Sequence, residues 1–219
     1  MTAKYIENQQ RINHLIISEA AKLIGKPITT QEKIECMLKL LAKWASLYFG
    51  RVLLPDFSRN ELQVAYHYGL NRQKLEEGKY TVPFDKGLSG FVWRSGQADL
   101  VMDIDKNHYF LRRIAEPIDG SHRNISFISI PIIAEGMTIG ILSAQRSAMS
   151  SRPYSCDLDL LKIIASIFGP ILLHVQQRAR QFTYKQNQLD KTSVGLMKMC
   201  EDHGLIGNCL LYTSPSPRD

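Results

Sequence analysis

Five arginines, Arg94, Arg112, Arg113, Arg123 and Arg146, fall in the middle of this 219-residue chain. A guanidinium is a planar fork of N–H donors that matches a carboxylate or phosphate edge, and an anionic ligand needs one or two such forks. Other reactive residue types are placed less suggestively. Cys36, Cys156, Cys200 and Cys209 show no C-x₂₋₄-C spacing, and His14, His67, His108, His122, His174 and His203 form no H-x₃₋₅-H pair. No metal site is therefore expected. Cys36 reads as a packing residue within a helix and Cys156 as an inert residue at a helix start. His108 and His122 flank a long polar connection and read as solvated. Neither a G-x-x-x-x-G-K-[ST] phosphate loop nor a G-x-S-x-G nucleophile turn occurs. Gly87-Leu-Ser-Gly90 is too short for either and reads as a turn plus close helix packing. No catalytic residue is assigned.

The elements that must carry these residues change period along the chain. Ile12, Leu15, Ile16, Ala20, Leu23 and Ile24 share one face of a helix over 5–24, stopped by Gly25 and Pro27. Thr29 and Glu32 form a capping box for a second helix, whose stripe is Ile34, Leu38, Leu41, Ala45 and Tyr48 and whose end is Gly50. Short strands are expected at 51–54, 62–68, 80–83 and 100–102, with short helices at 88–94 and 108–114. The β-rich runs 125–133 and 137–145 read as a hairpin joined at Ala134-Glu135-Gly136. The last helix starts with Ser155 as its cap and Asp157 and Asp159 in its first turn, where the dipole favours acids. Pro170 lies inside it and predicts a kink. Phe168, Val175, Phe182, Leu189 and Leu196 recur every seven residues up to about Met199, half of a coiled-coil seam. Long helices segregated from meandering strands give an α+β fold with a mainly antiparallel sheet.

Composition bounds the function classes. Hydrophobic residues make up 44% and charged residues 22%, a globular balance that excludes wholesale disorder. The net charge of +6 is spread along the chain rather than gathered into a stripe, so no direct nucleic-acid surface is expected. No uninterrupted apolar run approaches a membrane span and the N-terminus lacks a secretory signal, so neither membrane insertion nor a disulfide framework is expected, and the expected compartment is the cytoplasm. Cys209 to Asp219 match, residue for residue, one reading frame of a sequencing adapter; this stretch is read as an artefactual tail that packs on nothing.

Several segments carry a family resemblance. Val82-Pro-Phe-Asp-Lys-Gly-Leu-Ser-Gly90 with Gly96-Gln97 and Val101 resembles the middle of a GAF domain, and Ile128-Ser-Ile-Pro-Ile-Ile133 with Gly140-Ile-Leu-Ser-Ala-Gln-Arg146 resembles its two central strands. Asp105-Lys-Asn-His-Tyr-Phe-Leu-Arg-Arg-Ile114, Phe127-Ile-Ser-Ile-Pro131, Thr138-Ile-Gly-Ile-Leu-Ser-Ala144 and Arg152-Pro-Tyr-Ser-Cys-Asp-Leu-Asp-Leu-Leu-Lys-Ile-Ile-Ala165 are similar to the GAF domain of NifA-type, sigma-54-dependent activators. Leu205-Ile-Gly-Asn208 resembles the opening of the AAA+ domain that follows in that family.

Between the N-terminal helix (1–27) and the adapter-like tail (209–219), the resemblance implies a GAF sensory domain (28–180), a linker or signalling helix (181–203) and the start of an AAA+ domain (204–208). It implies a regulatory module, truncated before an ATPase domain, that answers to a small molecule or a partner such as an anti-activator protein. A homodimer through the terminal helices is expected. The implied pocket lies between residues 84–124 and 127–145, with Arg94, Arg112, Arg113, Arg123, Phe127, Ser129 and Arg146 as candidate contacts. A small anion such as 2-oxoglutarate is the candidate ligand, and no other cofactor is implied. The alternatives are the GAF sensor of a histidine kinase and a free-methionine-sulfoxide-reductase-like enzyme, which needs cysteines gathered around the pocket.

Overall fold

The structure, a computed structural model, describes residues 3–118, 120 and 124–202, with side chains described at 7–112, 114–118, 120, 124–179 and 181. The chain divides into two units, Met1–Leu173 and His174–Asp219. The adapter-like tail, the AAA+-like segment, His122, Arg123, His203 and Cys209 lie outside the described residues. So do the side chains of Arg113 and Cys200 and the heptad positions from Phe182 onward.

In the first unit, α1 (Ala3–Ile24) and α2 (Thr30–Ala45) pack as a pair. The capping box forms as expected: Glu32 N donates to Thr29 Oγ1 at 3.2 Å and Thr29 N donates to Glu32 Oε2 at 2.8 Å. The helix ends earlier than Gly50, because Ser46 adopts the left-handed conformation (φ 55°) and its N–H caps Leu41 O. Tyr48 and Gly50 therefore belong to β1 (Tyr48–Asp56), which continues through a turn into β2 (Glu61–His67). A short α3 (Arg72–Glu76), capped by Asn71, was not expected; β3 (Val82–Pro83) and α4 (Gly87–Ser95) follow. Beyond β4 (Asp99–Val101), the expected helix over 108–114 shrinks to a single 3₁₀ turn, Arg112–Ile114. Asp103 and Asn107 explain this: their side chains take the N–H groups of Asp105 (3.0 Å) and Tyr109 (2.9 Å), which diverts the backbone from helical bonding.

The hairpin of β5 (Ile125–Ala134) and β6 (Met137–Ser147) turns on Glu135 and Gly136, with φ of 51° and 76°. All pairs in the six-stranded sheet are antiparallel, in the order β3-β2-β1-β6-β5-β4. The last helix, α5 (Tyr154–Asp202), starts one residue before Ser155, directly after Pro153, so Ser155 lies in its first turn and is not the cap. Pro170 sits inside it.

The sheet has a buried layer on each side. Ile128, Ile130, Ile132, Leu142 and Val52 meet Ile16, Ala20, Ile34, Leu38 and Leu41 from α1 and α2, and Leu160, Ile164 and Phe168 from α5. Phe127, Ile125, Ile141 and Leu53, one residue out of phase, face α4 and the connection around Phe110 and Ile114. The helical stretch 154–179 is long enough to cross a bilayer and holds an 18-residue window of mean hydropathy 1.8, although no uninterrupted apolar run announces it. Within the first unit its apolar stripe, Leu160, Leu161, Ile164, Ala165, Phe168 and Leu172, is spent on the protein core.

Candidate functional site

The face of the sheet away from the long helices carries Ser129, Ser143, Gln145 and Arg51. Glycine sets its roof: a Cβ at Gly90 would lie 2.7 Å from Pro83 O and 2.9 Å from Phe84 O, so only glycine lets α4 sit so close to β3. Ser89 from that helix then reaches the sheet and meets Ser129 (3.1 Å) and Ser143 (3.5 Å), which bond each other at 2.9 Å. These hydroxyls satisfy one another inside the protein and bind α4 to β5 and β6. Ser129, a candidate ligand contact, is thus taken up in packing.

Two places on this face have the geometry of a site. One is a cleft of about 320 Å³ whose walls include Asp85, Phe91, Arg94, Asp99, Asn107 and Tyr109. Arg94 lines it, with Nη1 donating to Phe84 O. Arg112 lies outside that lining; it is exposed, donates to Asp105 O at 2.9 Å and lies 3.7 Å from the Asp105 carboxylate. Phe127 is fully buried against Phe110, with ring centroids 4.9 Å apart, and does not reach the cleft.

Arg146 is not available to a ligand. Its Nη1 pairs with Asp157, its Nη2 donates to Ser150 O (3.0 Å) and Arg152 O (2.8 Å), its Nε donates to Ser147 O (3.3 Å), and its guanidinium stacks on Tyr154. Asp157 also takes Arg152 Nε, and Arg152 reaches back to Gln9 and Asn13 of α1. Burial pushes the Asp157 carboxyl up from its ordinary range, and the two guanidinium groups pull against that shift. This arginine fork holds the start of α5, with the first-turn acid as its anchor.

The second place centres on Arg51, which the sequence reading passed over. A bulge in β1, marked by Phe49 at φ 51° and a register shift between Tyr48 and Arg51, turns this side chain onto the inner face. Arg51 is 1% exposed. Its Nη1 donates to Ile114 O (2.7 Å), Nη2 to Gln145 Oε1 (2.8 Å) and Nε to Phe49 O (3.3 Å). The guanidinium lies over the rings of Phe127 and Tyr80, 5.2 and 5.5 Å from their centroids. Burial lowers its pKa to about 10, still cationic at neutral pH, while Tyr80 and Glu116 act the other way. Gln145 clasps the backbone of Glu116, accepting from its N–H at 3.0 Å and donating to its carbonyl at 2.8 Å. The Glu116 carboxylate, itself buried, accepts from Lys74 Nζ (2.8 Å) and from the Tyr80 hydroxyl. Burial first, then the Glu116 bond, push the Tyr80 hydroxyl pKa up. The available signal was a single arginine between Gly50 and the apolar run Val52-Leu-Leu54. Its partners come from four distant segments, which spacing does not reveal.

Cys36 is exposed on α2 rather than packed, and Cys156 is half-buried on α5; neither lines the cleft. Among the described residues no cluster of His, Cys, Asp and Glu could hold a metal.

A curled antiparallel sheet with the long helices on one face and, on the other, a cleft between α4, β4 and the connection after it defines a small α+β domain, and comparisons with known proteins say which. A family model for the GAF domain matches residues 35–170, and the chain belongs to that family. Its sequence is 26% identical over 188 residues to the Nif-specific regulatory protein of Herbaspirillum seropedicae, covering 84% of this chain and 34% of the relative. It is 22% identical over 194 residues to the nitrogen fixation protein AnfA of Azotobacter vinelandii, covering 88% of this chain and 36% of that protein. The chain thus spans about a third of the length of these curated relatives. Among solved structures, the A. aeolicus nlh2 GAF domain in an inactive state superposes with a TM-score of 0.60 at 18% identity, covering 75% of this chain and 97% of that one. The free methionine-R-sulfoxide reductase of Neisseria meningitidis shares the fold with a TM-score of 0.59 at 19% identity, covering 81% and 96%.

Proposed function

We propose that this chain is the regulatory GAF module of a NifA-like, sigma-54-dependent transcriptional activator. In this reading it controls an ATPase domain in response to a small anion, with 2-oxoglutarate the first to try, or to a partner such as an anti-activator protein. The carrying observation is that similarity to Nif-specific regulators runs through 84% of the chain, across both faces of the sheet. The module is non-catalytic and cytoplasmic, and it dimerises through its terminal helices. The reductase alternative is disfavoured because Cys36 and Cys156 sit on α2 and α5, outside the cleft between α4 and β4.

Function follows from position. The pocket face and the helix face share the sheet: Phe127 and Ile128, or Ile141 and Leu142, are neighbours that point to opposite cores. A ligand that shifts β5 or β6 therefore also shifts the packing of Leu160, Ile164 and Phe168 on α5. A ligand with differential affinity for two such packings biases which one is populated.

The test replaces the matching region of the Herbaspirillum regulator with this chain and reads a sigma-54-dependent reporter. Activity that depends on the module and responds to nitrogen status supports the reading. A reporter indifferent to the module's presence overturns it. The same chimera separates the histidine-kinase alternative, which predicts a reporter indifferent to the module.

A further inference from the structure

We propose that the groove between α1 and α2 is a docking site for an acidic amphipathic helix of a partner protein. The groove lies on the helix side of the sheet, away from the cleft at α4, and its assignment does not depend on reading the chain as a regulator.

Three observations carry it. First, the groove is apolar and runs lengthwise. A cleft of about 250 Å³ has Leu23 of α1 and Cys36, Leu40 and Trp44 of α2 in its walls. Cys36, Leu40 and Trp44 follow one another a turn apart, so the strip runs along the helix axis, the footprint of a second helix laid beside it. Trp44 is 49% exposed, and Leu15, a turn before Glu19 on α1, is open too. A half-exposed tryptophan among leucines is the type of side chain that carries binding energy once a partner covers it.

Second, the walls carry unspent positive charge. Lys39 and Lys43 stand one turn apart in the lining. Neither is paired with a carboxylate among the described residues, whose lysine ion pairs are made by Lys22, Lys74, Lys79 and Lys106. Lys43 Nζ instead lies over the Trp44 ring, 5.2 Å from its centroid. The acid in the lining, Glu19, is already held by Lys22 at 2.7 Å.

Third, this pairing of charge and shape selects among occupants. A second copy brings the same excess of lysine, so a twofold pairing sets like charges together. A bilayer takes apolar side chains that project, whereas Leu23 is buried and Leu40 half-buried. A helix with apolar residues at i, i+3, i+4 and i+7 and acids along its flanks satisfies both features. Its apolar face covers Leu23, Leu40 and Trp44, and its carboxylates meet Lys39 and Lys43.

The probe is a synthetic leucine–alanine peptide with its leucines at helical spacing on one face and glutamate on both flanks; its counterpart carries lysine there. Calorimetry on the full chain gives affinity, and the emission of Trp44 in a Trp93→Phe background reports whether the groove is covered. The glutamate peptide is expected to bind saturably, to shift the emission to the blue and to weaken as salt rises. The lysine peptide should bind more weakly by about tenfold or more. Lys39→Glu combined with Lys43→Glu, both on exposed side chains, should reverse that order. If Trp93→Phe does not fold, the calorimetric order decides alone. A glutamate peptide that does not bind, two peptides that bind alike, or a preference that survives the lysine reversal overturns the proposal. So does a chain that sediments as a dimer and becomes monomeric with Leu40→Lys, which gives the groove to a second copy. A Trp44 shift with phosphatidylglycerol vesicles but not with the glutamate peptide gives it to a membrane and overturns the proposal equally.

Discussion

The residues that matter most are titratable ones with polar atoms that the fold has buried, and each has a measurable signature. Asp157 is fully buried between Arg146 and Arg152. Asp157→Asn leaves two guanidinium groups without a counter-charge, and breaking such a pair from one side costs about 3–5 kcal/mol. Urea unfolding at neutral pH is expected to show that loss, with a larger effect than Arg112→Ala, whose guanidinium is exposed. His67 is the second case. Its Nδ1 is buried with no hydrogen-bond partner, and burial, helped by Arg51 and opposed by Glu35, lowers its pKa from the ordinary 6.5. A depressed folded-state pKa gives stability that is complete above the unfolded value and lost as pH falls through the folded one. Stability should therefore decline as pH drops below about 6.5. His67→Phe should flatten that part of the profile, read as the urea midpoint at successive pH values; an unchanged slope would remove His67 as its source.

At the scale of elements, α4 is held in place by stereochemistry. Its close seat on β3 depends on Gly90, because the atoms that a Cβ would meet are backbone oxygens that cannot rotate away. Gly90→Ala should lift the helix and cost about 1–3 kcal/mol, the usual price of overpacking. For a domain of this size that is a fall in Tm of a few degrees per kcal/mol, roughly 2–4 °C each. Ser89→Ala is the milder comparison. It removes one hydroxyl from the serine cluster and leaves the Ser129–Ser143 bond of 2.9 Å in place, so about 1 kcal/mol is expected. If Gly90→Ala melts no lower than Ser89→Ala, the close approach is not what holds α4.

For the first unit as a whole, the three helices and the sheet share one core, and α1 is part of it through Ile16, Ala20 and Leu23. Phe168 sits fully buried in that core, whereas Phe57, 69% exposed, rests at the edge of the ring cluster with Phe84 and Trp93. Phe168→Ala should cost about 3–5 kcal/mol, through lost transfer energy and the cavity left behind. Phe57→Ala should stay within about 0.5 kcal/mol. Equal effects from the two, in thermal or chemical unfolding, would contradict a core built on the helix face of the sheet.

What the sequence determined by itself is whatever local chemistry dictates. The capping box of Thr29 and Glu32 started α2, β-rich runs around Glu135-Gly136 made the central hairpin, and helical spacing laid out the stripe of Leu160, Ile164 and Phe168. Each of these signals is carried by residues within a turn or two of each other. The ordered motifs from Val82 to Ala165 also carried the family. Tertiary structure decided the rest, because burial and charge pairing depend on segments far apart in sequence. It stopped α2 at Ser46, reduced 108–114 to one 3₁₀ turn through the Asp103 and Asn107 side chains, and tied Arg146 to Asp157. Above all it brought Arg51, Lys74, Tyr80, Glu116 and Gln145 together from five separate stretches of chain. No spacing rule sees such a cluster: a buried arginine is stable only where the fold supplies its acceptors, and those acceptors exist only once the sheet and the connection above it have met.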